Sequence, residues 1–166
     1  AYPDVTLDVQ TDLSVNLRQD FKKGSYDLVM LMDEYPEHSF KENDFIAEPL
    51  AWISRPGFNF KPDQPIPLVL YPKGCIYRQH ITTALNKANI PWRVLYSTSS
   101  LLGIQAAIDA GLGISALAIN TAPSILTTND IHQRLPALGK VTIGLHYDHA
   151  TLAPAAVRLL DNLRRG

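Results

Sequence analysis

The chain has 166 residues, of which 46% are hydrophobic and 19% charged, and its net charge is −1. That apolar content supports a packed core and excludes a disordered segment, and the length allows one ordinary domain or two small lobes. The lack of a basic surplus excludes a module that grips duplex nucleic acid by itself, because such binding rests on neutralising phosphates. A single cysteine, Cys75, forbids an internal disulfide and fits a reducing compartment. No apolar run approaches a membrane span, and Ala1-Tyr2-Pro3-Asp4 has no signal-peptide character. The start, just ahead of a strand-like alternation, reads as lying inside a larger protein.

Residues 5–10 alternate apolar and polar, the period of a strand. Thr11 or Asp12 can cap a helix carrying Leu13, Leu17 and Phe21 on one face, and Gly24 stops it. Asp27 to Met32 is a continuous apolar run after its first residue, the pattern of a parallel strand covered on both faces. The opening segment therefore reads as β-α-β. Residues 33–44 read as a loop, and 45–54 as a strand with Pro49 at an edge, a bulge or a strand start. Prolines 56, 62, 65 and 67 cluster with Gly57, the sharpest composition break and the expected crossing between lobes.

Beyond it the pattern is β-α-β-α-β. Leu68 to Tyr71 is a buried strand, and Ile76 to Ala88 a helix with Ile81, Ala84, Leu85 and Ala88 inward. Asn89 suits the left-handed position at its end and Pro91 blocks continuation. Trp92 to Tyr96 is a strand, and Ser99 to Ala110 a helix ended by Gly111 and Gly113. Ile114 to Ile119 is the third parallel strand of a small open sheet. Residues 120–140 read as a long loop, and Val141 to Tyr147 as a strand leading back beside 45–54. Pro154 opens a last helix that buries Val157, Leu160 and Leu163, with arginines 158, 164 and 165 near its end.

Two tight turns, each joining a strand to a helix, draw attention. One is Tyr71-Pro72-Lys73-Gly74-Cys75-Ile76-Tyr77-Arg78, the other Tyr96-Ser97-Thr98-Ser99-Ser100. Free backbone N–H groups and hydroxyls at two helix starts can hold a carboxylate or another small anion, and Arg78 can add a bidentate contact. The competing reading has Ser99 and Ser100 only capping a helix and Arg78 only facing solvent. The five histidines are scattered; His146 and His149 form the one close pair and do not share a strand face, so no metal site is expected. There is no G-x-S-x-G elbow, no HExxH and no Walker A motif. Neither an enzyme nor a cofactor is expected.

The order of motifs resembles the effector-binding domain of LysR-type transcriptional regulators. The pieces are Tyr2-Pro3-Asp4-Val5, Gly24-Ser25-Tyr26-Asp27-Leu28-Val29, Glu48-Pro49-Leu50, the Pro67 to Cys75 glycine turn, and Ala110-Gly111-Leu112-Gly113-Ile114. Residues 85–93 also look like the LrhA/HexA branch of motility and virulence repressors. The sequence departs from the family at Ala118, where proline is usual. The resemblance implies an α/β, two-lobed fold of periplasmic-binding-protein type II with two crossover strands. Residues 1–53 and 142–166 would form lobe I, lacking its opening strand and helix, and 54–141 lobe II.

The resemblance further implies a small effector, anionic in the reading above, bound between the lobes. Its contacts carry over to Ser14, Met32 and Asp33, to Gly74, Cys75, Tyr77 and Arg78, and to Thr98, Ser99 and Ser100. Peroxide-sensing members place a reactive cysteine where Cys75 stands but need a second cysteine, and Ala84 lies about where it would fall, so a pocket-lining thiol is expected. A cytoplasmic homodimer or tetramer is implied, paired through residues 12–23 and 76–88, with DNA contacted only through an upstream helix-turn-helix absent from this chain. The alternative is a stand-alone solute-binding protein of the same fold.

Overall fold

The computed structural model describes residues 5–33, 44–61, 63–120 and 134–164. They fall into two compact units, one comprising Ala1–Ala47 with Thr142–Gly166 and the other Glu48–Val141. The division falls inside two strands, β2 (Phe45–Ile53) and β6 (Lys140–Tyr147), ahead of the proline cluster from which the sequence places it.

The Glu48–Val141 unit carries the larger core. Strand β3 (Ile66–Leu70) pairs in parallel with β4 (Trp92–Ser97), from Ile66 opposite Trp92 to Leu70 opposite Ser97, with a register shift after Leu68. On its other side β3 meets the segment entering β5 (Ser115–Ala118) through a parallel bridge between Leu68 and Ile114. β5 in turn pairs antiparallel with β2, Leu50 opposite Ala118 and Ile53 opposite Ser115. Helix α2 (Ile76–Lys87) buries Tyr77, Ile81 and Leu85, and α3 (Leu101–Asp109) buries Ile104, Ala107 and Ile108. Of the α2 residues expected inward, Ala88 is instead exposed, at the helix C-cap. Asn89 takes a left-handed φ of 54°, and Ile90 N–H donates to Leu85 O at 2.9 Å, closing the helix as its sequence predicts.

One close approach assembles this sheet. A Cβ on Gly113 would lie 2.4 Å from Pro67 O, so only glycine lets the chain enter beside β3. Past it, Ile114 N–H donates to Pro67 O at 3.0 Å and Val69 N–H donates to Ile114 O at 2.9 Å.

In the other unit, α1 (Ser14–Lys22) ends at Gly24, whose φ is +79°. Leu13, Leu17 and Phe21 are only half-buried. Strand β1 (Leu28–Asp33) pairs antiparallel with β6, from Leu28 opposite Tyr147 to Asp33 opposite Thr142. The expected parallel strand covered on both faces is thus corrected: Val29 and Leu31 are buried while Met30 is exposed, as in a strand with one wet face. Residues 5–10 are not a strand either. Among the described residues no strand lies alongside them, and alternation without a hydrogen-bonding partner leaves Val5, Leu7 and Val9 in solvent.

Helix α4 (Pro154–Leu163) buries Leu160, but Val157 and Leu163 are exposed, against expectation. Its end is held by polar contacts instead. Arg164 Nε donates to the buried Asp44 Oδ1 at 2.7 Å and its Nη2 to Tyr147 Oη at 2.6 Å, while Tyr147 Oη donates to Asp44 Oδ2 at 2.7 Å. The expected loops over 33–44 and 120–140 fall largely outside the described residues, as do His38, His132 and Arg165.

Gly113→Ala should lower unfolding stability in urea by about 1–3 kcal/mol, because backbone rather than a pliable side chain blocks the methyl group. Gly57→Ala, at φ +70° with nothing within 4 Å, should cost only roughly 1 kcal/mol of backbone strain.

Candidate functional site

The two helix-opening turns lie side by side. Thr98 N–H, just past the end of β4, donates to Leu70 O at the end of β3, at 3.1 Å. Both turns therefore sit at the carboxyl end of a parallel strand pair and each leads into a helix. That is where open α/β sheets bind ligands, because helix-start N–H groups converge there with no strand above them.

The first turn is shaped by Gly74, with φ +94°. Cys75 N–H donates to Pro72 O at 3.2 Å, and Cys75 is the extended residue immediately before α2. Arg78 is not a free cation in solvent. Its Nη1 donates to Tyr71 O at 3.0 Å, tying the first turn of α2 back to the strand end. A guanidinium has five N–H donors, so this bond leaves others for a ligand. Tyr77 is buried, with its ring 5.9 Å from that of Tyr71. It belongs to the wall of the turn and to the core together.

In the second turn, Thr98 Oγ1 accepts from Ser100 N–H at 3.2 Å, and Ser100 Oγ accepts from Gly103 N–H at 3.3 Å. Ser100 is therefore a true N-cap of α3. Capping does not consume the hydroxyl, since accepting a bond leaves the O–H free to donate. The two readings of these residues are compatible. Ser99 is exposed between them.

Ser14, Met32 and Asp33 lie in the other unit and are also brought together. Ser14, the first residue of α1, accepts from Met32 N–H at 2.9 Å and likewise keeps its own proton to donate. Asp33 is ion-paired through Oδ1 with Arg18, and its Oδ2 lies 3.7 Å from His146 Nε2. The partnership with Arg18 was missed in the sequence. Its spacing from Ser14, one helical turn along α1, is the signal that could have found it.

Electrostatics separate the two candidate chemistries at Cys75. Burial pushes the thiol above its ordinary value, and the backbone N–H groups of Arg78 and Tyr77 and the Arg78 charge offset this only in part. A reactive cysteine needs the opposite shift. Tyr71 is pushed up to about 12, mainly by burial and then by the neighbouring Cys75 and Tyr77. At neutral pH the turn presents a neutral Cys75 thiol and a neutral Tyr71 phenol, so neither adds a negative charge that would repel an anion. Among the described residues, no three His, Cys, Asp or Glu side chains gather as a metal site, and no helix is long and apolar enough to cross a membrane.

Over residues 1–166 the chain matches the LysR substrate binding domain. It is 24% identical over 163 residues to the HTH-type transcriptional regulator DgdR of Burkholderia cepacia, covering 98% of this chain and 55% of DgdR. It is also 24% identical over 140 residues to the HTH-type transcriptional regulator PecT of Dickeya dadantii (strain 3937), covering 82% of this chain and 43% of PecT. The chain thus spans about half the length of these curated relatives. Among solved structures, the regulatory domain of CcmR from Synechocystis PCC6803, in complex with 2-PG, matches with a TM-score of 0.65 at 19% identity, covering 99% of this chain and 84% of that one. These likenesses show an α/β fold of the periplasmic-binding-protein type II kind, that of LysR regulatory domains.

Two measurements check the electrostatics. Cys75 should react with iodoacetamide at neutral pH more slowly than a free model thiol, with the rate still climbing as pH passes the ordinary value of 9.0. For Tyr71, folding raises the pKa from 10.0 to about 12, so the linked stability is complete below the lower value and is lost as pH rises through the upper one. Urea unfolding should therefore show a shallower alkaline decline in Tyr71→Phe than in the parent chain.

Proposed function

The chain belongs to the LysR substrate binding domain family, the effector-binding regulatory domain of LysR-type transcription regulators and not an enzyme family, and from that premise we propose that it senses a small anionic effector. The observation that carries this reading is the bond from Thr98 N–H to Leu70 O, which sets two donor-rich helix starts together at one strand edge. Gly74, Cys75, Tyr77, Arg78, Thr98, Ser99 and Ser100 are the proposed effector residues of the Glu48–Val141 unit. Ser14, Met32 and Asp33 are those of the other unit. Gly74 keeps the backbone accessible, Thr98 and Ser100 donate hydroxyl protons, Arg78 supplies charge, and Cys75 and Tyr77 line the wall.

The two units are proposed as the two lobes of the regulatory domain, with β2 and β6 as their crossover strands. The effector acts only through its differential affinity for two arrangements of the full regulator. Contact with DNA is proposed to come from a helix-turn-helix elsewhere in the parent protein, as the designation of DgdR and PecT as HTH-type regulators supports. A cytoplasmic homodimer or tetramer, paired through residues 12–23 and 76–88, completes the proposal. Residues 85–93 support placement in the LrhA/HexA branch.

Native mass spectrometry of the purified chain, followed by thermal-shift titration with small carboxylates and phosphates, tests this reading. A bound or stabilising anion is expected. Thr98→Val and Gly74→Val should each weaken its binding about tenfold or more, the effect of losing a hydrogen bond to a charged group or of blocking the approach to the turn. Stabilisation by neutral or cationic compounds alone, or anion binding unchanged in both variants, would contradict it.

A further inference from the structure

The third residue of α3 is Gly103, at a position where a capping box has Glu or Gln. In a capping box the N-cap hydroxyl accepts from the backbone N–H three residues on, and the Glu or Gln side chain reaches back to the N-cap N–H. Here the helix supplies only the first half: Ser100 Oγ accepts from Gly103 N–H at 3.3 Å. The second half comes from outside the helix. Ser100 N–H donates to Thr98 Oγ1 at 3.2 Å, so the Thr98 hydroxyl stands in for the missing side chain.

Thr98 can do so because Gly103 has no side chain. A Cβ at 103 would lie 2.9 Å from Thr98 Cγ2 and 3.0 Å from Thr98 Oγ1. Both branches of the threonine thus pack over the backbone of the first helical turn. With two heavy atoms on its Cβ, threonine has no staggered rotamer that clears both places, since only one branch is hydrogen. A methyl group at 103 would therefore displace Thr98 and draw its hydroxyl away from Ser100 N–H. The helix itself does not call for glycine, the poorest helix former after proline. The turn ahead of the helix does.

We propose that Gly103 is a positioning residue of the effector site and acts through Thr98. The proposal rests on the reading of the paired turns as an anion site. A capping Glu at 103 would set a carboxylate beside the turn and repel an anion. Glycine and Thr98 together satisfy the same N–H with a neutral hydroxyl. That hydroxyl accepts from Ser100 N–H and keeps its proton to donate. Gly103 touches no ligand; it fixes the direction in which Thr98 presents that proton.

The test measures binding of inorganic phosphate and acetate by calorimetry in the parent chain, Gly103→Ala, Thr98→Ser and the double variant. Gly103→Ala should weaken binding about tenfold, the effect of losing a hydrogen bond to a charged group. Thr98→Ser alone should bind within about twofold of the parent, because the hydroxyl is kept. In the double variant it should restore affinity to within about threefold of the parent, because serine lacks the Cγ2 atom that lies nearest. The urea midpoint should not fall in Gly103→Ala, since alanine favours the helix and water replaces the exposed Thr98 contact. A purely structural glycine would lower that midpoint and show no rescue by serine. Hydrogen exchange at the Ser100 amide reads the same coupling without a ligand. It should be about fivefold faster in Gly103→Ala and parent-like in the double variant. If neither anion binds the parent chain, the effector reading is what fails, and this exchange alone decides whether Gly103 positions Thr98. Unchanged anion affinity in Gly103→Ala, no rescue by Thr98→Ser, or unchanged Ser100 exchange overturns the proposal.

Discussion

The structure of the Glu48–Val141 unit depends on one backbone approach. At Gly113 the chain passes so close to Pro67 that a single methyl group has no room, and only past that point can Ile114 bond on both sides of Leu68. β5 then lies in the sheet with all four of its residues buried, and β2 pairs with its far side. The order β4, β3, β5, β2 follows from that contact. So does the location of the paired turns, which sit at the carboxyl ends of β3 and β4 because those strands are parallel.

At the turns, hydroxyls that cap or brace the backbone still keep donors of their own. Ser14, Thr98 and Ser100 each accept a backbone hydrogen bond that fixes local structure. Each retains a proton that it can donate outward. Arg78 behaves similarly, bracing Tyr71 O while keeping other N–H groups for a ligand. Burial at Tyr71 and Cys75 holds both groups neutral, so no negative charge from them competes with an anion above the turn. A thiol held above its ordinary pKa does not favour covalent chemistry at this turn, as befits a non-enzyme regulatory domain.

Glu48 has a different standing. It opens the Glu-Pro-Leu motif, which in the sequence served only as a family marker. Its partner Asn120 is 72 residues away, and no local pattern connects them. Further along β2, Trp52 bonds to the segment returning to β6 across a separation of 84 residues. Such contacts are invisible to periodicity because they arise where segments distant in the chain become neighbours. The same is true of the network that joins Asp44, Tyr147 and Arg164, which replaces apolar burial at the end of α4.

Much of the β3 to β5 segment was legible in the sequence because its signals are local. Gly74, Asn89 and Gly111 announce positive φ angles by side-chain chemistry, and α2 and α3 show their inward faces by spacing. The glycine turn and the serine-rich turn were visible for the same reason. Residues 5–10 were misread because a strand is a relation between two segments: alternation states a preference, and a partner satisfies it. β1 was misjudged in the same way, since an apolar run does not reveal which neighbour pairs with it or in which direction. The sequence by itself determined the course of α2, the glycine stops of α1 and α3, the family and the two donor-rich turns, all carried by residue chemistry over short spans. Only the tertiary structure decided that those turns lie side by side, that Arg18 pairs with Asp33, and that Glu48 is buried against Asn120, because each depends on packing between segments far apart in the chain.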